Sequence, residues 1–61
     1  MNHICEQYIN HVIKVVYDNG ENSVGELVAI HENFLELEHR NGFRTLIKFD
    51  VISVIAEVPR R

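Results

Sequence analysis

The Asn41-Gly42 pair, set between the apolar runs of residues 34–37 and 43–49, constrains this chain more than any other feature. Asn-Gly tolerates the positive φ of a two-residue type I′ turn, whose twist matches that of two antiparallel strands. A hairpin over Arg40-Asn41-Gly42-Phe43 is therefore expected, and with it a fold built on strands. Asp18-Asn19-Gly20 gives a second turn on the same grounds.

Around these turns the apolar residues alternate. Ile13, Val15 and Tyr17 interleave with Val12, Lys14 and Val16, which predicts a strand from residue 11 onward. A second strand is expected over residues 23–31, with Gly25 inside it marking a bend or a close backbone approach. Phe34, Leu35 and Leu37 with Glu36 and Glu38 predict a third. The fourth runs over 43–49 and the fifth over 51–58, where Pro59 stops the ladder. Asp50-Val51 leaves little room for a loop, so a sharp kink joins the last two. Ahead of them, Asn2 suits a helix N-cap. Ile4, Cys5, Tyr8, Ile9 and Val12 fall at helical spacing, so a short helix over 2–10 is expected to lid the sheet.

With 61 residues the chain is read as one domain, 1–61. A domain of this size buries only roughly 60% of the surface its unfolded chain exposes. Such chains lean on disulfides, metals or partner copies. Cys5 is the single cysteine, which excludes an internal disulfide and fits a reducing compartment. No apolar run reaches membrane-spanning length and no signal-peptide pattern is present, so a cytoplasmic protein without membrane contact is expected. Partner copies are the remaining support. Val51, Ile52, Val54, Ile55, Ala56 and Val58 put apolar groups on both faces of the fifth strand. A strand wetted on one face should alternate, and an open edge of this kind invites pairing with a neighbouring chain.

The chemistry-bearing residues are sparse. His3, His11, His31 and His39 lack zinc-site spacing, so no metal or other cofactor is expected. Ser23, Thr45 and Ser53 stand in no nucleophile-like turn, and so small a barrel lacks room for a substrate pocket. An enzyme is not expected. The net charge of −3 counts against non-specific gripping of nucleic acid, which favours basic proteins. It leaves room for a local patch. Tyr8, Tyr17, Phe34 and Phe43 are stacking candidates, and Lys14, Arg40, Arg44, Lys48, Arg60 and Arg61 could meet phosphates.

Helix plus five short strands resembles the Sm-like family, which includes the Hfq RNA chaperones. Asn19-Gly20, then Gly25, then Leu27 is similar to the first Sm motif. His31-Glu32-Asn33-Phe34-Leu35 falls where that motif carries acidic residues, an apolar residue and often an asparagine. Leu46-Ile47-Lys48-Phe49-Asp50-Val51-Ile52-Ser53 falls where Hfq proteins carry Tyr-Lys-His-Ala-Ile-Ser. The resemblance implies an all-β fold with a short N-terminal helix: a five-stranded, strongly bent, antiparallel Sm-like (SH3-like) barrel. It also implies a homo-oligomeric ring, hexamer or heptamer, binding single-stranded RNA by shallow repeated pockets without covalent chemistry. The departures are Leu35, which stands at the family asparagine, and Phe49-Asp50, which stand at the basic pair. A one-residue shift brings Asn33 or Lys48 into the pocket instead. The candidate RNA contacts are Asn33, Phe34 and Lys48 on one face, and Tyr17, Asn19 and Arg44 elsewhere. The alternative is an Sm-like scaffold or protein-interaction module that binds no RNA, favoured by Leu35, Asp50 and the negative charge.

Overall fold

The computed structural model describes residues 6–59, which form one antiparallel sheet of five strands. The strands are β1 (Val12–Tyr17), β2 (Asn22–Ile30), β3 (Phe34–Glu38), β4 (Arg44–Lys48) and β5 (Ile52–Glu57). Their spatial order is β4-β3-β2-β1-β5, so the first four form a meander and β5 returns to the free side of β1. The alternation read from the sequence sets which face is buried. Ile13, Val15, Leu27, Leu35 and Leu37 are fully buried and Ile47 nearly so. Tyr8, Ile9, Tyr17, Ile30, Phe49, Ile52 and Ile55 pack around them, half-buried.

A sheet must cover its apolar face, and no second layer is available among the described residues, so the sheet curls over its own core. β2 is the element that bends. Its nine residues would measure about 30 Å if straight. Yet both of its ends are tied to the three-residue 3₁₀ turn Phe49–Val51, which rises only about 6 Å. The Phe49 N–H donates to the Asn33 carbonyl at 3.1 Å, beyond the end of β2, and the Asp18 N–H donates to the Val51 carbonyl at 2.9 Å, ahead of its start. Two features permit the bend. The register with β3 slips between Leu27 and Ala29, leaving Val28 as a bulge that increases local twist. Gly25 removes the side chain where the strands approach most closely. A Cβ there would lie 3.0 Å from the Glu38 carbonyl oxygen and 3.3 Å from His39 Nδ1.

The curled sheet does not close into a barrel: β4 and β5 are its two edges and share no ladder. The helix expected over 2–10 is not found among the described residues. Residues 2–5 lie outside them, as do Arg60 and Arg61, and 7–10 are turn. The Ile9 N–H reaches the Glu6 carbonyl at 3.2 Å and the His11 N–H that of Tyr8 at 2.9 Å, three-residue steps and not helical ones. Asn10 then takes φ of 72° and its N–H donates to the Leu27 carbonyl, which pins the segment across the sheet. Of the expected apolar stripe, Tyr8 and Ile9 pack on the core from turn backbone, while Ile4 and Cys5 lie outside the described residues. The kink expected at Asp50-Val51 is the 3₁₀ turn. No helix among the described residues is long and apolar enough to cross a membrane.

The Asn41-Gly42 turn differs from the expected two-residue form, and the Asn19-Gly20 turn has the same geometry. The Gly42 N–H donates to the His39 carbonyl at 2.9 Å and the His39 N–H to that of Phe43 at 2.8 Å. In the other turn Gly20 pairs with Tyr17 at 2.9 Å and Tyr17 with Glu21 at 2.8 Å. Each is a three-residue loop ending in a left-handed glycine, with φ of 91° in both. The asparagine therefore stays out of the positive-φ region. Its Oδ1 accepts the N–H two residues on, from Glu21 at 2.9 Å and from Phe43 at 3.2 Å.

Candidate functional site

Three of the residues expected to contact RNA meet at one corner. Asn33 sits in the β2–β3 turn, and Phe34 lies directly opposite Lys48 in the β3–β4 register. Cross-strand partners point to the same face. The Asn33 backbone carbonyl is spent on Phe49, while its side chain and the Lys48 ammonium are exposed and carry no bond to another described residue. His31, absent from the sequence-based set, belongs to this corner. Its ring stacks on Phe34 with centroids 4.5 Å apart and planes at 26°. The corner thus offers a stacked aromatic pair, an amide and a cation, with the acid Asp50 in the adjoining 3₁₀ turn.

Arg44 is drawn away from this role. Its Nη1 donates to Glu36 Oε2 at 2.7 Å, and its Nη2 lies 3.8 Å from Glu38 Oε1. The other Glu36 oxygen accepts from His31 Nε2–H at 3.0 Å. A line of contacts therefore runs from Arg44 through Glu36 to His31 and onto Phe34. The Arg44 guanidinium first, and the His31 hydrogen bond second, hold the Glu36 carboxyl below its usual range. Glu36 in turn raises the Arg44 guanidinium.

Tyr17 is bonded within the fold through its hydroxyl, and Asn19 through its side-chain oxygen alone, its NH₂ group having no partner among the described residues. The Tyr17 hydroxyl shares a hydrogen bond with Ser23 Oγ at 2.7 Å and its ring packs on the core. Asn19 Oδ1 is the acceptor of its own turn. Leu35, which the Sm-like resemblance aligns with an asparagine, is fully buried and faces away from solvent.

His39, just past the end of β3, turns inward. His39 continues the face of Leu35 and Leu37, and its ring fills the space that Gly25 leaves empty. The Val24 carbonyl, 3.0 Å from Nδ1, has no proton to give, so Nδ1 carries the hydrogen. In the neutral ring Nε2 then accepts from the Thr45 hydroxyl at 2.6 Å. Hydroxyl, imidazole and orienting acceptor is an order that activated nucleophiles use. Here the same order ties β4 to β2 across the end of the core, which the glycine beneath the ring requires. Parity with Leu37, together with the glycine's need for something to approach it, was the signal available for this placement.

Comparison with protein-family models, curated proteins and solved structures gives no match. The functional reading therefore rests on the residues and their geometry.

Proposed function

We propose that the chain assembles edge to edge with copies of itself and presents the Asn33, Phe34 and Lys48 corner, repeated around the assembly, to single-stranded RNA. The observation that carries this is the corner itself: a stacked Phe34–His31 pair opposite an unpaired Lys48, with a free amide beside it. Base stacking on aromatic groups needs no base-specific groove and tolerates any sequence. Assembly is supported by the sheet's two different open edges. β4 exposes Leu46 by 61% and β5 exposes Val54 by 50%. An edge of one kind pairing with an edge of the other is a head-to-tail contact, which closes into a ring when the rotation allows. A bent, five-stranded antiparallel sheet is what the chain shares with the Sm-like reading, though the sheet is open and not a closed barrel; the ring implied by that reading is a hexamer or heptamer. A lone Cys5 suits work in the reducing cytoplasm.

A second reading, a scaffold without RNA, has its own support. Glu26 pairs directly with Glu38, and Glu36 follows on the same face, so the convex side of the sheet is acidic and its Arg44 is neutralised.

Sedimentation fixes the assembly, and fluorescence anisotropy with labelled oligo-U and oligo-A at low and near-physiological salt tests the ligand. The RNA reading expects binding that weakens by about 0.7 log units per phosphate contact for each tenfold rise in salt, and that is lost on replacing Phe34 and Lys48 with alanine. Absence of binding at tens of micromolar protein, with the assembly intact, leaves the scaffold.

A further inference from the structure

The geometry points to a second nucleotide-contacting surface at the tip of the β3–β4 hairpin, where Phe43 offers a stacking face and Arg40 meets phosphate. The inference rests on the RNA reading above and names a separate place on the same subunit. A shallow depression at this tip is lined by Val24, His39, Arg40, Asn41, Phe43 and Thr45, together with Arg44. No carboxylate lines it, in a chain whose net charge is −3. Among the described residues Phe43 is the most exposed large apolar side chain, at 71%. The Arg40 guanidinium is exposed and bonded to no described residue. Asn41 uses Oδ1 on the Phe43 N–H, so its NH₂ group remains a free donor at the rim. An adjoining depression continues past His39 and Arg40 to Glu26 and Glu38. Those two acids would repel a phosphate and turn it toward the tip.

The first turn of the chain acts as an internal control. Asp18-Asn19-Gly20-Glu21 and Arg40-Asn41-Gly42-Phe43 share the same three-residue loop, the same glycine φ and the same asparagine acceptor. The backbone therefore asks nothing of the first and last residues. In one turn they are two acids; in the other they are a cation and an aromatic. Neither Arg40 nor Phe43 is explained by the turn, and Phe43 is too exposed to be explained by the core. A flat apolar ring beside an unpaired guanidinium suits a nucleotide, whose base stacks while its phosphate pairs.

The test uses the same anisotropy titration on the full chain. Phe43→Ala is expected to weaken binding by roughly five- to a hundredfold. Arg40→Ala is expected to lower the salt slope by about 0.7. The double variant Arg40→Asp with Phe43→Glu gives the second turn the residues the first already carries, so it should keep the wild-type melting curve and sedimentation while losing binding. Wild-type affinity in these variants, with Lys48→Ala still impaired, overturns the tip and leaves the corner standing. Loss at the tip with Phe34→Ala and Lys48→Ala unaffected moves the whole site to the tip and overturns the corner. A fall in assembly size on changing Phe43 makes it a subunit contact and overturns the inference. No binding by the wild-type chain overturns both.

Discussion

Replacing Gly25 with alanine tests the packing on which the whole bend depends. The new Cβ would meet the Glu38 carbonyl oxygen at 3.0 Å and His39 Nδ1 at 3.3 Å. Relaxed carbon–oxygen contacts between strands lie near 3.3–3.6 Å, so the two chains must part by about 0.4 Å. The carbonyl belongs to the backbone where β3 runs beside β2 and cannot move by itself. The imidazole is held at 3.0 Å by Val24 and at 2.6 Å by Thr45, so moving it strains two hydrogen bonds. Overpacking of this kind costs about 1–3 kcal/mol, and each weakened bond adds up to about 1 kcal/mol. Alanine gives back about 0.4–1 kcal/mol by stiffening the unfolded chain. The net expectation is a loss of about 1–3 kcal/mol, a fall in Tm of roughly 5–20 °C for a domain of this size. Urea melts followed by far-UV circular dichroism suit a chain without tryptophan. They should be run at several protein concentrations, because assembly couples to apparent stability. A Gly25→Ala chain as stable as wild type, or more stable, refutes the close approach. A second check is His39→Ala in the same background, which removes one of the two obstacles and should recover part of the loss.

Other expectations follow from the same geometry. Leu35→Asn, which introduces the asparagine of the Sm motif the chain resembles, should cost at least the roughly 2–5 kcal/mol of a buried leucine deletion, because Leu35 is fully buried. Against a total stability of about 3–9 kcal/mol for this length, a melt should show a largely unfolded chain, and a folded variant would show that Leu35 is misplaced. Glu36 titrates lower in the folded chain than in the unfolded one, so its contribution is complete above its ordinary value and fades as pH falls through the lowered one. The Tm gap between wild type and Glu36→Gln should therefore narrow in acid; a gap constant from neutral pH to about 3 refutes the ion pair. Leu46→Lys on the β4 edge should reduce sedimentation mass without lowering monomer helicity-free β signal, and an unchanged assembly would move the interface elsewhere.

Strand positions were legible because burial on one face writes a period of two into the chain, and Ile13, Val15, Leu35, Leu37 and Ile47 all obey it. Gly25 was legible as a close approach for the same reason: a strand position without a side chain has a neighbour to accommodate. What approached it was hidden, since His39 is distant in sequence and a histidine at a strand end reads as surface. Both turns were placed correctly, but the one at Asn41-Gly42 was mistyped. Asn-Gly specifies where a chain reverses, whereas loop length depends on which pair closes it, and here His39 pairs with Phe43 and not Arg40. Arg44 was read as a phosphate contact because its partner is set by register: only once Glu38 stands opposite it, and Glu36 nearby, does its charge become spent. The Tyr17 hydroxyl and the Asn19 Oδ1 likewise have partners that only the fold reveals.

The distribution of unspent groups then decides how the two functional readings should be weighed. Arg44 is neutralised on the acidic convex face, while Lys14, Arg40 and Lys48 remain without described partners. Lys14 stands on β1 opposite Val24 and Ala56, with no aromatic in its pairs. Lys48 faces Phe34 at one end of the β3–β4 hairpin, and Arg40 neighbours Phe43 at the other. A scaffold needs its charges for solubility and has no reason to set two of the three free cations among the described residues beside aromatic rings. A strand of RNA has that reason at each place, because stacking and phosphate pairing recur with every nucleotide. The acidic face between the two ends would keep the strand from lying flat across the sheet, so contact at both ends of one hairpin favours a path along the rim of the subunit over one across its face.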